Sequence, residues 1–160
     1  MKHYNSFNSK KYREQSWRKE HNSGGFKCSH CKQFVVINAQ MGTANRNHCN
    51  ICLWSRHVDE EKGDRKATCR AGMEPIGLTF KHEGYNKLGE IMLIHVCQGC
   101  TKLSINRIAR DDPEFLILSI FEDSIESRID IAKRLEANGI YLATENDRRV
   151  IDVQLFGNFA

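Results

Sequence analysis

The pattern of apolar and polar positions divides the chain into three stretches. Residues 1–25 show no periodicity. They are polar and basic, with scattered aromatics (Tyr4, Phe7, Tyr12, Trp17) and a closing Gly24-Gly25, and they read as a flexible basic arm. Between 26 and 112 short apolar runs alternate with turn residues. Phe34-Val35-Val36-Ile37 predicts a strand, and Gln40–Thr43 a turn after it. Ile76–Phe80 and Glu90–Val96 flank the turn-rich HEGYNKLG and predict a second hairpin. Beyond 112 the spacing changes. Asp112-Pro113 predicts a helix start, with aspartate as N-cap and proline at the first helical position. Glu114–Phe121 predicts a short buried helix, although a run this brief also fits a buried strand. Ser124–Asn138 carries Ile125, Ile129, Ala132 and Leu135 on one helical face, with Gly139 at the C-cap position. Ile140–Ala143 and Val150–Phe156 predict two strands around a turn at Glu145-Asn146-Asp147. The expectation is an α+β chain: an arm (1–25), a body of two tandem hairpin units (26–112) and a C-terminal α/β extension (113–160).

The cysteines change that picture. Six of the seven lie in three CxxC pairs, Cys28/Cys31, Cys49/Cys52 and Cys97/Cys100, and Cys69 stands alone. An odd count, without an apolar leader stretch, argues for thiols in a reducing cytoplasm rather than for disulfides. No run approaches membrane-spanning length. A CxxC turn points two sulfurs to one side, and two such turns at the ends of a hairpin close a tetrahedron around Zn2+. Cys31 and Cys49 are separated by seventeen residues, a spacing suited to one such site. The body therefore reads as tandem zinc-ribbon-like units holding two Zn2+ per chain. Cys28, Cys31, Cys49 and Cys52 form the first site. Cys69, Cys97 and Cys100 need one more ligand for the second. His57 is the choice, because the competing His48 adjoins a ligand of the first site. A crossed arrangement, with Cys49, Cys52, His57 and Cys69 on one ion and the outer pairs on the other, also satisfies the spacing.

Charge adds a partner. Residues 1–110 hold 19 Lys and Arg against 9 Asp and Glu, +10, whereas residues 111–160 hold 5 against 11, −6. Seven thiolates and two Zn2+ would leave the basic part near +7. A basic zinc-bearing body implies an anionic partner, and nucleic acid is the commonest. The candidates for contact are Arg46, His48, Arg56, Lys66, Arg70, Lys102, Arg107 and Arg110. Trp54 could stack on an unpaired base, or could cover the metal site. No basic amphipathic helix suggests reading of a DNA major groove. RNA, including ribosomal RNA, is the expected partner, and the acidic extension offers a surface for a protein.

Two alternatives differ in class. His48 and His57 beside a metal could serve a nuclease-like enzyme, with Asp59, Glu60, Glu61 and Asp64 as the available carboxylates. Four protein ligands at each zinc would close both sites and argue against catalysis. Alternatively, oxidation of the CxxC pairs could eject zinc and make the chain a redox switch.

The run NRNHCNICLWSRHVD (45–59), then GDR at Gly63–Arg65, GMEPI at Gly72–Ile76, CQGC and NRIARDD, resembles the RNHCP domain family of small bacterial zinc-ribbon-like proteins. The resemblance covers Phe26 to about Asp112 and implies zinc at the matching cysteines. Asn50 stands where the family's name has proline, which alters the turn and removes no ligand.

Overall fold

The computed structural model describes residues 24–37, 40, 46–83 and 88–157, without the side chains of Arg128 and Ile129. The expected arm lies outside these residues except for Gly24 and Gly25. So do most of the Gln40–Thr43 turn, the tip of HEGYNKLG and the Ile129 side chain.

Among the described residues two antiparallel sheets form. Strand β1 (Gly25–Lys27) pairs with β2 (Phe34–Val36) in a small hairpin, with Lys27 opposite Phe34. The second sheet has the order β3 (Ser55–Arg56), β4 (Gly72–His82), β5 (Leu88–Cys97) and β6 (Leu103–Arg107). The predicted second hairpin is thus the central pair of a four-stranded antiparallel sheet, not a free-standing ribbon. Its interior reads GLTF against IMLI, apolar and β-branched enough to be buried along its length.

The extension is helical: α1 (Glu114–Glu126), α2 (Arg128–Ala137), a 3-10 turn (Glu145–Asp147) and α3 (Arg148–Phe156). The helix expected over 124–138 is split at Ser127, and Gly139 ends α2 in the left-handed region at φ 69°. The two strands predicted at 140–143 and 150–156 do not form. Thr144 and Asp147 make a capping box, with Asn146 N–H donating to Thr144 Oγ1 and Thr144 N–H to Asp147 Oδ2. That cap starts a helix in which Ile151 is buried while Val150 and Val153 face solvent, a helical rather than alternating period. Asp112 does not cap α1 either. Pro113 is the N-cap, without a side-chain hydrogen bond, because the Asp112 carboxylate is engaged elsewhere.

The main core joins the sheet to the helices. Leu78, Phe80, Ile91 and Leu93 meet Ile117, Ile120 and Phe121 of α1 and Ile151 of α3, with Leu53 at one end. Each such side chain contributes about 1.5–3 kcal/mol on burial. A second group packs Leu135 of α2 and Leu142 on Ile94. The β1–β2 hairpin has its own small core of Phe26, Val35 and Val58 around the sulfurs of Cys28 and Cys49.

Candidate metal centres

The three CxxC pairs adopt one backbone geometry. In each, the N–H two residues on donates to the first sulfur: His30 to Cys28 Sγ, Ile51 to Cys49 Sγ and Gly99 to Cys97 Sγ, at 3.3–3.4 Å. The N–H four residues on donates to the first cysteine's carbonyl, from Lys32, Leu53 and Thr101. The first cysteine's own N–H donates to the carbonyl five on, at Gln33, Trp54 and Lys102, 2.8 Å each. The residue after the second cysteine takes a positive φ every time: Lys32 66°, Leu53 63° and Thr101 66°. Arg70, after the lone Cys69, does the same at 54°. For residues other than glycine this conformation costs about 1–2 kcal/mol, so three identical turns imply a common compensation, and the amide-to-sulfur bonds contribute to it.

Two four-residue groups result: Cys28, Cys31, Cys49 and Cys52, and His57, Cys69, Cys97 and Cys100. The ligand atoms of each lie within 4.8 Å of one another. In the first, Cys28 Sγ is 3.5 Å from Cys52 Sγ and Cys31 Sγ 3.6 Å from Cys49 Sγ. In the second, Cys69 and Cys97 sulfurs are 3.7 Å apart, and His57 Nδ1 is 3.2 Å from Cys100 Sγ. A tetrahedron with metal–sulfur bonds of about 2.3 Å has edges of about 3.8 Å, so both groups fit a four-coordinate ion. The crossed arrangement does not form, and His57 rather than His48 joins the second group. All seven cysteines are unbridged.

The electrostatics of the sulfurs are strongly shaped by burial. A hydrogen bond from Cys49 holds the Cys28 thiol down at about 4, while that bond and burial push Cys49 far up. Burial raises Cys52 to about 12 and Cys97 to about 11. Burial thus disfavours ionisation of Cys49 and Cys52, and a divalent ion held by these sulfurs would offset that cost. Burial, helped by the Lys102 charge, pushes the His57 pKa down and keeps it a neutral ligand.

Gly99 is required at the second group. A Cβ there would lie 2.8 Å from Ala71 Cβ and 3.0 Å from Cys69 Sγ. The lone cysteine reaches the knuckle only because that side is bare.

A family model described as RNHCP domain matches residues 23–118. The chain belongs to the RNHCP domain family. Comparison with curated proteins and with solved structures gives no match. The RNHCP match takes in both metal groups and the first residues of α1. In the stretch that names the family, Arg46-Asn47-His48-Cys49-Asn50, only Cys49 turns to a metal group. Arg46 and His48 turn the other way. Arg46 donates from Nη1 to Asp111, from Nη2 to Asp112 Oδ1 and from Nε to the His48 carbonyl, at 2.5, 2.6 and 2.9 Å. His48 Nε2 lies 2.6 Å from Asp112 Oδ2, which also accepts the Ala109 N–H. Behind them His95 is fully buried. Its Nε2 meets the Leu53 carbonyl and its Nδ1 accepts from the Asn106 amide.

This corrects the expected contact surface. Arg46 and His48 are 2% and 1% exposed and cannot meet a partner. Arg70 is buried too, with Nη2 donating to the Arg65 carbonyl. Arg56 is half-buried, its Nε donating to the Arg70 carbonyl. Trp54 lies between the stacked ring of His30, 4.0 Å away and parallel within 2°, and Gly72, whose added Cβ would be 3.5 Å from the indole. It packs against the core of the first metal group, half-buried, with one face taken by His30. Arg107 is exposed and paired with Glu90, and Lys102 meets Glu60. Lys66 and Arg110 are exposed. The RNHCP residues that sequence reasoning missed are Asp112, His95 and Gly99. The doubled aspartate of NRIARDD was the available signal for the first.

Several residues named for the nuclease-like alternative are engaged elsewhere, while His57, Asp59, Glu60 and Glu61 line one cavity. His48 is sealed against Asp112 and His57 faces Cys100. Asp64 accepts the N–H groups of Glu60, Glu61 and Lys66, and Asp59 those of Gly63 and Arg65. These carboxylates shape their own loop, and the Lys66 N–H above all holds the Asp64 pKa down.

Proposed function

We propose that the chain is a non-catalytic RNA-binding module of the cytoplasm, built on two structural zinc ions. The carrying observation is that each metal group offers four protein ligands, four sulfurs in one and three sulfurs with an imidazole nitrogen in the other. Such donor sets suit Zn2+, and a site with four protein ligands leaves no open position for a substrate. The ions would stiffen a body whose hairpin core is too small to hold itself. Free thiols as ligands suit a reducing compartment, and among the described residues no helix is long and apolar enough to cross a membrane.

RNA as partner rests on the +10 balance of residues 1–110 and on exposed cations such as Lys32, Lys66 and Arg110. The acidic extension packs against the sheet on one side and leaves a protein as the other class of partner to be tested.

Elemental analysis of the purified chain should give two zinc per chain, and one would sink the eight-ligand scheme. Filter binding to RNA should weaken steeply as salt rises. Absent or salt-independent binding removes the RNA reading. A pull-down from native lysate should lose its captured material on nuclease treatment, and retention would assign a protein partner instead.

A further inference from the structure

We propose that the outer face of the β1–β2 hairpin is a stacking platform for an unpaired nucleic-acid base, and that Phe34 is the ring on which the base lies. The inference rests on the RNA reading above and gives it a site.

Strand β2 alternates. Val35 is wholly buried in the hairpin core, while Phe34 and Val36 are 53% and 60% exposed on the other face. A hairpin this small has little apolar material to spare, so placing phenylalanine outside calls for a reason. Gly25 supplies part of it. A Cβ at Gly25 would lie 2.7 and 2.8 Å from Cζ and Cε1 of Phe34. The ring therefore leans down over the bare β1 backbone, and its other side is open to solvent.

The charges around it suit an anion that carries flat apolar groups. Lys27, exposed, is the register partner of Phe34, and exposed Lys32 sits in the adjoining knuckle. From His21 to Val58 the sequence has no Asp or Glu. A face meant only for water, or for a protein, would ordinarily mix both signs. A loaded four-thiolate centre carries two negative charges, but Cys28 and Cys49 are buried and their sulfurs accept backbone amides, whereas the lysines stand outside. Phe115 offers a contrast. It is 77% exposed but follows Glu114 on the acidic extension, and its ring meets Phe156 at 5.1 Å. Among the described residues, with Trp54 stacked on His30, Phe34 is an exposed ring set among cations. Because its hairpin carries Cys28 and Cys31, metal loading would present the ring preformed, and a stacked base binds a rigid platform without an ordering cost.

The test uses the full chain with two zinc bound and a labelled, unstructured 15-nucleotide RNA. Phe34→Leu should weaken binding about 5- to 100-fold, the range for losing one base–aromatic stack, and leave the salt slope and zinc content unchanged. Phe34→Trp should bind at least as well as the original chain. Photo-cross-linking of the same RNA with 5-bromouridine should map to the peptide carrying Phe34. If the original chain binds RNA but Phe34→Leu binds equally, or the cross-link maps elsewhere, the platform is refuted and the RNA reading survives. If the original chain does not bind RNA, both fall. If Phe34→Leu instead abolishes a concentration-dependent dimer, the face belongs to a second copy of the chain and the platform is refuted.

Discussion

Arg46 and Asp112 stand 66 residues apart in the chain, and their side chains meet at 2.6 Å in a site closed to water. The pair joins the second metal knuckle to the residue before the N-cap of α1. His48 and the Ala109 N–H share the same carboxylate, so one aspartate satisfies three donors from two parts of the fold. A buried charge left without its partner costs about 3–5 kcal/mol. Asp112→Ala should lower unfolding stability by about that amount, read as the guanidinium midpoint at fixed free zinc. A loss below about 1 kcal/mol would mean that the site opens to water in solution.

The two metal groups share no ligand. Cys28→Ser and Cys100→Ser should each reduce bound zinc from two ions to one. Cys28→Ser should unfold the β1–β2 hairpin, while Cys100→Ser should leave it intact by amide exchange. Loss of both ions from either variant would show that the sites load as one unit.

Gly99→Ala tests the close approach of Cys69. The added methyl meets Ala71 Cβ and Cys69 Sγ at distances that require a shift. The variant should surrender one zinc to a chelator at least tenfold faster than the original chain (about 1.4 kcal/mol per tenfold) and keep the other. Equal rates for both ions would place the strain elsewhere.

His95 sets a pH dependence. Burial drives its pKa down to about 3, against an ordinary 6.5. The groups facing it are the Leu53 carbonyl, the Asn106 amide, His48 and Asp112. Between those two values the unfolded chain binds a proton at this residue and the folded chain does not. Stability from this group is therefore full above pH 6.5 and is lost as pH falls toward 3. His95→Gln removes that proton uptake. Unfolding at saturating zinc should then fall less steeply from pH 7 to about 5 in the variant than in the original chain. Parallel curves would show that His95 stays neutral in both states.

The paired cysteines of the two candidate metal groups were readable from the chain because a CxxC turn is local. Four residues determine where both sulfurs point, and neighbouring amides complete the turn, so Cys28, Cys31, Cys49, Cys52, Cys97 and Cys100 declare themselves without a fold. The apolar runs of β4 and β5 were legible for the same reason, and so was helix within 124–138, although its break at Ser127 was not. His57 over His48 was the sequence's choice, whereas the uncrossed pairing and the reach of Cys69 depended on which strands lie side by side. Long-range contacts also decided what the cations do. A sequence full of arginine beside metal knuckles suggests a binding surface, yet a carboxylate from residue 112 draws Arg46 and His48 inward, because a buried charge is tolerable only with its counterpart. In the last segment, Val150, Ile151 and Val153 carry strand propensity, and the Thr144–Asp147 cap with packing of Ile151 into the core overrides it. Local geometry thus marked the paired cysteines that can hold a metal, and only the packed chain gathered them into two groups and separated the residues that build the body from those left exposed.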